Sequence, residues 1–311
     1  MPSSIAIKQD GIKIKIMSET TGLLGASDIR TIAAEAGISP TKKFGQNFVI
    51  DPGTVRKIVR TAGVTADSKV LEVGPGLGSL TLGLLETGAH VTAIEIDTPV
   101  AERLPYTVAT YMPAASERLR VIEMDALKAT PDNTAIDLST PLTLVANLPY
   151  NVATPIILTL LERFTNIESF VVMVQKEVAD RLCAQPGNKV YGVPSVKLAW
   201  YGLSSPAGVI GRNVFWPAPH VDSALVEFHR YDDSHSTESP RDPELRDDVF
   251  NLIDAAFSQR RKTLRAVLKK TVSDEAFESA QIDSTRRGET LTIDDFIRLA
   301  SASRMFHMKH S

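Results

Sequence analysis

KVLEVGPGLG, residues 69–78, is a strand-like apolar run that passes directly into a loop with glycine at positions 74, 76 and 78. Residues 79–87, which follow the loop, have the apolar spacing of a helix. Glycine accepts the positive φ angles that a tight loop needs, and its missing side chain lets a ligand approach the backbone. A strand, a glycine loop and a helix in this order predict a nucleoside cofactor at the carboxyl edge of a parallel sheet.

The chain on both sides of this loop alternates β-branched runs with amphipathic stretches, which is the pattern of a parallel sheet flanked by helices. Five strands are predicted at residues 69–73, 90–96, 119–123, 142–146 and 169–175. Helices are predicted around residues 52–62, 79–87, 99–110, 153–164 and 176–184. We expect two later strand-like runs, 193–201 and 221–229, to add an antiparallel pair to this sheet. The prediction is an α/β fold with a mostly parallel seven-stranded sheet.

The composition changes after residue 230. YDDSHSTESPRDP, residues 231–243, is acidic, polar and contains proline, which is typical of a linker. From about residue 244 onward the patterns are helical, so a small all-helical domain is predicted over residues 244–311. At the other end, residues 1–27 are predicted to be a poorly ordered N-terminal extension, which leaves residues 28–230 for the α/β domain.

The composition also excludes several classes of protein. No run of about 18 apolar residues appears, so we expect no membrane span, and the N-terminus lacks the apolar core of a secretory signal. The single cysteine, Cys183, excludes an internal disulfide and fits a reducing cytoplasm. The six histidines show no ligand spacing with acidic residues or cysteine, so no metal site is expected. We expect a cytoplasmic monomer.

Glu95 stands at the carboxyl end of the next predicted strand, 21 residues after Gly74. A carboxylate at this point can accept hydrogen bonds from both hydroxyls of a ribose. A nicotinamide dehydrogenase would show nearly the same two features and stays an alternative. The Gly-x-Gly-x-Gly spacing and the acidic Glu72 before the loop favour a sulfonium cofactor instead, because a carboxylate attracts a positive charge.

Asp125 follows the third predicted strand. Its carboxylate is placed to accept a hydrogen bond from the amino group of the cofactor's adenine. The alternative is that Asp125 caps the turn that follows, which is a frequent role of aspartate.

Asn147-Leu148-Pro149-Tyr150 ends the fourth predicted strand, at the same sheet edge as the glycine loop. The amino group of adenine is a poor nucleophile because its lone pair is delocalised into the ring. A site that methylates this nitrogen must accept hydrogen bonds from both N–H groups, and the Asn147 side-chain oxygen and the Leu148 carbonyl can do so. Pro149 would stiffen the turn, and Tyr150 offers a flat face on which a flipped-out base stacks. The alternative is an ordinary strand-ending turn.

These motifs, in this order, closely resemble those of the small-subunit ribosomal RNA adenine dimethyltransferases (the KsgA type). The motifs that carry the resemblance lie between residue 42 and about residue 300, and they are Phe44-Gly45-Gln46-Asn47-Phe48, Glu72-Val73-Gly74-Pro75-Gly76-Leu77-Gly78, Glu95, Asp125-Ala126, Asn147-Leu148-Pro149-Tyr150-Asn151, Phe215-Trp216-Pro217-Ala218-Pro219-His220-Val221-Asp222-Ser223 and Phe257-Ser258-Gln259-Arg260-Arg261-Lys262-Thr263-Leu264. The resemblance implies a Rossmann-like S-adenosylmethionine-dependent methyltransferase domain over residues 28–230 and a helical RNA-binding domain over residues 244–311.

The resemblance also implies which residues hold S-adenosylmethionine. Asn47 and the backbone at Val49 are expected to close over the methionine end, and Gly74 and Gly76 to contact the cofactor through their backbone. Glu95 is expected to bind the ribose and Asp125 the adenine. Asn147 is expected to contact both the cofactor and the target base. The chain departs from the family pattern at Val49, where leucine is usual, and at Ala266, where asparagine is common.

For the target base, the resemblance implies an aromatic ring on each side. Phe215 matches a family aromatic that is expected to cover the base opposite Tyr150. The catalytic set would then be Asn147, Leu148, Pro149, Tyr150 and Phe215. For Phe48 and Phe215, an ordinary place in the core is the alternative.

Residues 259–270 contain six cations and no acid, in a chain whose net charge is -3. If this run is one helix, Lys262, Arg265 and Lys269 share a face. Phosphate affinity depends on clustered cations, so we expect RNA contacts from Arg260, Arg261, Lys262, Arg265 and Lys269. A solvated charged face is the alternative. A second patch beside the cofactor entrance is expected from Lys42, Lys43, Arg56, Lys57 and Arg60.

The expected reaction is a direct in-line transfer of a methyl group from the sulfonium to N6, driven by proximity and electrostatics without a dedicated general base. By resemblance, the product is N6,N6-dimethyladenosine at two adjacent adenosines near the 3′ end of small-subunit rRNA, in an immature ribosomal subunit. The alternatives are a large-subunit rRNA adenine methyltransferase of the macrolide-resistance type, a DNA adenine methyltransferase, and a non-catalytic ribosome-assembly factor on the same fold.

Overall fold

A computed structural model describes residues 22–39, 46–231 and 241–310 of the chain. Its strands are β1 (Phe48–Val49), β2 (Lys69–Val73), β3 (His90–Glu95), β4 (Leu119–Glu123), β5 (Leu142–Asn147), β6 (Ile167–Gln175), β7 (Gly202–Ile210), β8 (Phe215–Trp216) and β9 (Ser223–Arg230). Its α-helices are α1 (Ala26–Glu35), α2 (Pro52–Thr61), α3 (Ser79–Glu86), α4 (Thr98–Tyr111), α5 (Pro131–Thr134), α6 (Ala153–Arg163), α7 (Lys176–Leu182), α8 (Val193–Tyr201), α9 (Arg246–Phe257), α10 (Leu264–Leu268), α11 (Asp274–Ser279) and α12 (Ile293–His310). None of these helices is long and apolar enough to cross a membrane.

Seven strands form one sheet in the order β4-β3-β2-β5-β6-β9-β7, and β1 pairs separately with β8. Five of these strands run parallel to their neighbours: β4, β3, β2, β5 and β6. Strand β9 runs antiparallel to both β6 and β7. Strands β3 and β4 are added in chain order on one side of β2. The next strand, β5, then pairs with β2 on its other side. A crevice forms where the strand order reverses in this way, at the carboxyl ends of the strands. The sheet confirms the predicted fold class.

The predicted strand at residues 193–201 is wrong, because these residues form helix α8. The valines and aromatic residues of the run VPSVKLAWY favour a strand in the sequence. In the structure, Pro194 lies in the first turn of the helix, where its missing N–H is not needed. Val196 and Trp200, four residues apart, are both buried on the same face of α8.

The strand at the outer edge of the antiparallel pair is β7, which no sequence pattern predicted. Its residues, GLSSPAGVI, are rich in glycine, serine and proline, which are depleted or neutral in strands. β7 accommodates Pro206 because it is an edge strand, and its pairing with β9 shifts register between Pro206 and Val209. The predicted strand at residues 221–229 is present as β9.

A separate hydrophobic core covers each face of the seven-stranded sheet. Helices α1 to α4 contribute to one core, and α6 and α8 to the other. The second core continues into α9 to α12 without a break: the rings of Trp200 on α8 and Phe250 on α9 meet edge to face, with centroids 6.1 Å apart. The division of the chain at residues 231–243 into two domains stays a prediction.

The sequence predicted a poorly ordered extension over residues 1–27, but residues 22–27 have a defined structure. Leu24 is fully buried and packs with Ile29 and Ile32 of α1 in the first core. The helix itself already begins at Ala26. The burial of Leu24 fixes this segment, while residues 1–21 of the predicted extension lie outside the described residues.

The basic run over residues 259–270 is not one helix. α9 ends at Phe257 and α10 covers only Leu264–Leu268, so turns occupy the residues between them. The backbone N–H groups of Leu264 and Arg265 donate to the carbonyls of Arg286 and Ser284. These tertiary hydrogen bonds replace the helical ones, and the predicted shared face of Lys262, Arg265 and Lys269 is therefore wrong.

Candidate active site

The carboxyl ends of four neighbouring parallel strands, β4, β3, β2 and β5, surround a cavity of about 270 Å³. Residues 46–49, ahead of α2, close one side of it. The predicted site residues that line this cavity are Asn47, Val49, Gly74, Gly76, Glu95, Asp125, Asn147, Leu148, Pro149 and Tyr150. The fold thus brings together residues that are up to 103 positions apart in the sequence.

The glycine loop presents bare backbone to this cavity. Gly74 has a φ of +69° and Gly76 a φ of +55°, values that side-chain-bearing residues rarely adopt. A Cβ atom on Gly76 would lie 2.9 Å from the ring of Phe48, which leaves no room for a side chain. The Gly74 N–H donates to the Ile94 carbonyl at 2.9 Å and ties the loop to β3. Glycine at these positions therefore keeps the cavity floor open to a ligand.

Glu95 holds its carboxylate in a fixed orientation at the end of β3. Its Oε1 accepts hydrogen bonds from the backbone N–H groups of Ile96 at 2.9 Å and Asp97 at 3.0 Å. Its Oε2 accepts a longer one, 3.4 Å, from Gly76 in the glycine loop. Burial raises the pKa of Glu95, and these backbone donors act in the opposite direction. The result is an oriented acceptor at the cavity wall, suited to a diol.

Glu72 is the most deeply buried acid of the site, with 1% of its surface exposed. Thr81 donates to its Oε2 at 2.7 Å, while Oε1 has no hydrogen-bond partner among the described residues. Burial raises the pKa of Glu72 to about 8, and nearby Glu95 pushes it in the same direction. With this pKa the Glu72 carboxyl is mainly neutral at neutral pH while the cavity is empty.

Asp125 caps the turn that follows it, and its predicted contact with the cofactor's adenine stays a prediction. Its Oδ1 accepts from the Leu127 N–H at 2.9 Å and caps the short 3₁₀ turn Ala126–Lys128. The residue also lines the cavity. Arg163, at the end of α6, donates to the carbonyls of Leu127 at 2.8 Å and Ala129 at 3.0 Å. These two hydrogen bonds fix the turn against α6.

Asn147 has a defined amide orientation. Its Nδ2 donates to the backbone carbonyl of Asn47 at 3.0 Å, which assigns the opposite side of the amide, Oδ1, as an acceptor. Leu148 follows with its N–H donating to the Met173 carbonyl at 3.0 Å. The backbone of the Asn147–Pro149 turn also lies against Gly74, since a Cβ on Gly74 would sit 3.8 Å from the Asn147 carbonyl oxygen.

The segment of residues 46–49, which we call the strap, joins the two walls of the cavity. At one end the Gln46 side chain donates to the Asp97 carboxylate at 2.6 Å. At the other, Ser79 donates from its hydroxyl to the Val49 carbonyl, also at 2.6 Å. The contact of Asn147 with Asn47 lies between them. The strap therefore contacts the ends of β3 and β5 and the start of α3 at the same time.

Tyr150 and Phe215, the two aromatics predicted to hold the target base, occupy different environments. Tyr150 lines the cavity, and its hydroxyl lies 3.0 Å from the hydroxyl of Ser223. Phe215 is 3% exposed, belongs to the first core and pairs with Val49 through β1 and β8, away from the cavity lining. In this structure Phe215 has the core position that was the alternative interpretation, because β8 turns it inward against the strap.

A family model described as ribosomal RNA adenine dimethylase matches residues 39–304. The chain belongs to this family. It is a methyltransferase of the ribosomal RNA adenine dimethylase family, and its methyl donor is S-adenosylmethionine.

Relatives of this dimethylase extend over nearly the whole chain. A protein of Bifidobacterium adolescentis named ribosomal RNA small subunit methyltransferase A is 69% identical over 284 residues, which cover 90% of this chain and 94% of that protein. A protein of the same name from Leifsonia xyli is 56% identical and covers 90% of this chain and 98% of that protein.

Solved structures share the fold of the dimethylase at lower identity. A dimethyladenosine transferase from Plasmodium falciparum is 24% identical, with a TM-score of 0.67, and the match covers 85% of this chain and 98% of that one. The 23S rRNA methyltransferase ErmE is 23% identical, with a TM-score of 0.61, and the match covers 83% and 100%. At these identities the similarity establishes the Rossmann-like fold and does not distinguish one RNA substrate from another.

The five cations predicted to contact RNA in the dimethylase differ in their partners. Arg260 pairs with Glu289 at 2.7 Å, and Arg265 pairs with Asp274 at 2.5 Å. The remaining three are exposed and form no ion pair within the described part of the chain: Arg261, Lys262 and Lys269. In the second predicted patch, Arg56 pairs with Glu86, and Lys42 and Lys43 lie outside the described residues.

Four residues of the dimethylase site received no role from the sequence. They are Gln46 and Asp97, which connect the strap to β3, Thr81, which donates to Glu72, and Ser223, which holds Tyr150. Gln46 and Ser223 lie in the quoted motifs, so a signal for them existed. Asp97 follows β3, and Thr81 lies in the first turn of α3. Neither residue stands in a sequence motif that would have indicated its role.

Proposed function

We propose that this chain transfers methyl groups to N6 of two adjacent adenosines near the 3′ end of small-subunit (16S) rRNA, giving N6,N6-dimethyladenosine during small-subunit biogenesis. The names of the similar proteins from Bifidobacterium adolescentis and Leifsonia xyli support the small subunit as the target. We further propose that the substrate is an immature subunit, and that the enzyme works as a monomer in the cytoplasm.

The observation that carries this proposal is the orientation of Asn147. Its amide nitrogen is used by the Asn47 carbonyl, so Oδ1 is the acceptor available to a substrate N–H. The carbonyl of Leu148 follows directly on the chain. Two acceptors side by side suit an amino group with two hydrogens, and exocyclic N6 of adenine is such a group.

The cavity fits S-adenosylmethionine, which supplies an electrophilic methyl group on a positively charged sulfur. Glu72 lines this cavity, and a cationic ligand beside it would favour the ionised form of its carboxyl. The backbone at Gly74 and Gly76 is open to close approach. We propose that Glu95, whose carboxylate backbone donors hold in a fixed orientation, accepts hydrogen bonds from the ribose hydroxyls. For the adenine end, we propose Asp125, and for the methionine end, Asn47 and the backbone at Val49, since all three line the same cavity.

The residues of the chain act on the target base by orienting it. When Asn147 Oδ1 and the Leu148 carbonyl accept the two N6 hydrogens, the nitrogen lone pair is directed out of the ring plane. Pro149 fixes the turn that carries these acceptors, and Tyr150, held by Ser223, provides the stacking face. Proximity and preorganised acceptors account for the rate. The methylated nitrogen loses its extra proton to water, so no side chain is needed as a base.

Phe215 enters the proposal with an altered role. Because it packs in the core against Val49, we propose that it supports the strap from below in this state of the protein. Trp216, its half-buried neighbour, stacks on Phe48 with ring centroids 6.3 Å apart. These aromatic contacts pack β8 against the strap.

The substrate proposal is tested by supplying S-adenosylmethionine with immature small subunits, protein-free large-subunit rRNA or duplex DNA. Mass spectrometry of the nucleosides gives the product in each case. We expect N6,N6-dimethyladenosine at two adjacent positions of small-subunit rRNA. Dimethylation confined to the large-subunit RNA, transfer confined to DNA, or no transfer to any of the three would overturn the proposal.

A further inference from the structure

Arg163, in the last turn of α6, is directed at the turn that follows Asp125. Its Nη1 donates to the carbonyls of both Leu127 and Ala129. The side chain is half-buried and forms no ion pair within residues 22–39, 46–231 and 241–305. Two backbone carbonyls, rather than a carboxylate, are therefore the partners of this cation. A basic residue at the end of a helix commonly binds the carbonyls of its own helix, whereas Arg163 binds those of a different segment.

The end of α6 that carries Arg163 is itself fixed by two other arginines. Arg230 on β9 donates to the Leu161 carbonyl at 2.8 Å. Arg246, at the start of α9, pairs with the Glu162 carboxylate at 2.9 Å. Because this helix end is held by both the sheet and α9, Arg163 holds the Asp125 turn from a fixed position.

The carboxylate of Asp125 has one oxygen in use inside the turn. Oδ1 accepts from the Leu127 N–H at 2.9 Å, and Oδ2 has no hydrogen bond to another described residue. Asp125 and Leu127 line the cavity, and Arg163 is not among the described residues that do. Arg163 thus binds the residue that orients the Asp125 carboxylate, one contact away from the cavity.

We propose that Arg163 is a positioning residue for the cofactor. By holding the carbonyls of Leu127 and Ala129, it fixes the Leu127 N–H, and this N–H orients the Asp125 carboxylate toward the amino group of the cofactor's adenine. This role rests on the proposed function, since it requires the adenine to lie beside Asp125. A binding group must be held to within about 0.5 Å of its productive position, and the groups behind it supply that restraint.

Cofactor binding without RNA tests this role. The two probes are S-adenosylhomocysteine and its deamino analogue, in which hydrogen replaces the amino group of the adenine. Arg163→Met keeps the apolar stem of the side chain and removes its N–H donors. We expect it to raise the Kd for S-adenosylhomocysteine by about 3- to 10-fold, as for the loss of one hydrogen bond. The Kd for the deamino analogue should stay unchanged, because this ligand has no amino hydrogens for Asp125 to accept. Equal losses for both ligands would overturn the role, since they would show a general distortion of the cavity.

Asn166→Ala is the matched control. The Asn166 side chain donates to the carbonyls of Asp137 at 3.1 Å and Thr140 at 2.7 Å, so it also holds a loop through two carbonyls. Neither of these two residues belongs to the described lining of the cavity. Asn166→Ala should bind both ligands as the wild type does. A rise in the Kd for S-adenosylhomocysteine as large as that of Arg163→Met would overturn the role of Arg163.

Arg163→Lys is a smaller change and serves if Arg163→Met does not fold. Lysine keeps the positive charge and loses the planar group that meets both carbonyls. We expect the same selective loss for S-adenosylhomocysteine, smaller than in Arg163→Met. A loss that is equal for the two ligands would overturn the role in this variant as well.

Asp125→Asn distinguishes a failure of Arg163 from a failure of the proposed adenine site. Asparagine keeps the cap on the turn and places an N–H donor where the free carboxylate oxygen was, so we expect the Kd for S-adenosylhomocysteine to rise by about 10-fold or more. Arg163→Met/Asp125→Asn should lose no more than Asp125→Asn alone, because Arg163 acts through Asp125. Additive losses, or unchanged affinity in the Arg163 variants beside a weakened Asp125→Asn, would overturn the role of Arg163 alone. Unchanged affinity in Asp125→Asn would instead overturn the adenine contact in the proposed function.

Discussion

The side-chain nitrogen of Asn147 donates a hydrogen bond to the backbone carbonyl of Asn47, 3.0 Å away and 100 residues earlier in the chain. This contact links the strap, expected to close over the cofactor, to the residue expected to orient the target. Because the nitrogen donates to Asn47, Oδ1 is the atom of the Asn147 amide that we propose faces the substrate. We therefore propose that cofactor closure and target orientation are coupled through this one amide.

Replacing Asn147 should remove transfer and leave RNA binding largely unchanged. Asn147→Ala loses the acceptor for one N6 hydrogen, so we expect the methyl-transfer rate to fall by about 100-fold or more, the usual loss for a preorganised group at a reacting centre. Single-turnover assays and RNA filter binding measure the two quantities. Asn251→Ala, an exposed asparagine on α9, is the control. Unchanged turnover in Asn147→Ala would refute the role assigned to this residue.

Opening the strap at its other end should weaken cofactor binding. Gln46→Ala and Asp97→Ala each remove the 2.6 Å hydrogen bond between an amide and a carboxylate. We expect each to raise the Kd for S-adenosylhomocysteine by about 5- to 20-fold, as for the loss of one charge-assisted hydrogen bond. The double variant should lose no more than either single one, because they remove the same contact. Calorimetry without RNA gives the values, and additive losses would show that Gln46 and Asp97 act separately.

Tyr150 and Ser223 should also act as one unit. Tyr150→Phe and Ser223→Ala each break the hydroxyl contact that holds the ring, and we expect similar, several-fold losses of kcat/KM for RNA. Tyr150→Ala removes the stacking face and should cost about 10- to 100-fold, the range for loss of a base–aromatic stack. Steady-state kinetics at saturating S-adenosylmethionine checks this order. Full activity in Tyr150→Ala would exclude the proposed stacking.

Glu72 should make the stability of the cofactor-free protein fall as the pH rises. Its pKa is raised by burial from 4.5 to about 8, so the folded state binds a proton more tightly than the unfolded state. The stability contribution of the neutral carboxyl is complete below about pH 4.5 and is lost progressively toward pH 8, by a few kcal/mol at most. Glu72→Gln should remove this decline in urea unfolding between pH 5 and 8. Glu117→Gln, on the exposed surface, should not alter it; parallel curves for wild type and Glu72→Gln would contradict the prediction.

Much of the parallel half of the sheet was predictable because each strand has a strong local signal. The run before Gly74 and the acid at Glu95 mark two strand ends, and buried parallel strands are nearly continuous apolar runs. The antiparallel half lacked such signals. Residues 193–201 carry strand-like residues but form α8, and β7 contains Pro206, which only its edge position makes acceptable.

The site was predictable as a set of motifs, and its internal contacts were not. The cavity-lining residues stand at strand ends, where sequence order alone places them on one edge. The contacts of Gln46 with Asp97 and of Arg260 with Glu289 join residues 51 and 29 positions apart, and no local pattern encodes them. The inward position of Phe215 likewise depends on the pairing of β8 with β1, two strands of two residues each.

The central claim is that one cavity holds the cofactor while Asn147 faces the target amine from its wall. A crystal structure with S-adenosylhomocysteine tests it most directly. We predict the ribose hydroxyls on Glu95, the adenine beside Asp125, and Asn147 Nδ2 still on the Asn47 carbonyl with Oδ1 directed toward the open side of the cavity. A ligand bound elsewhere, or Asn147 turned into the core, would contradict the account.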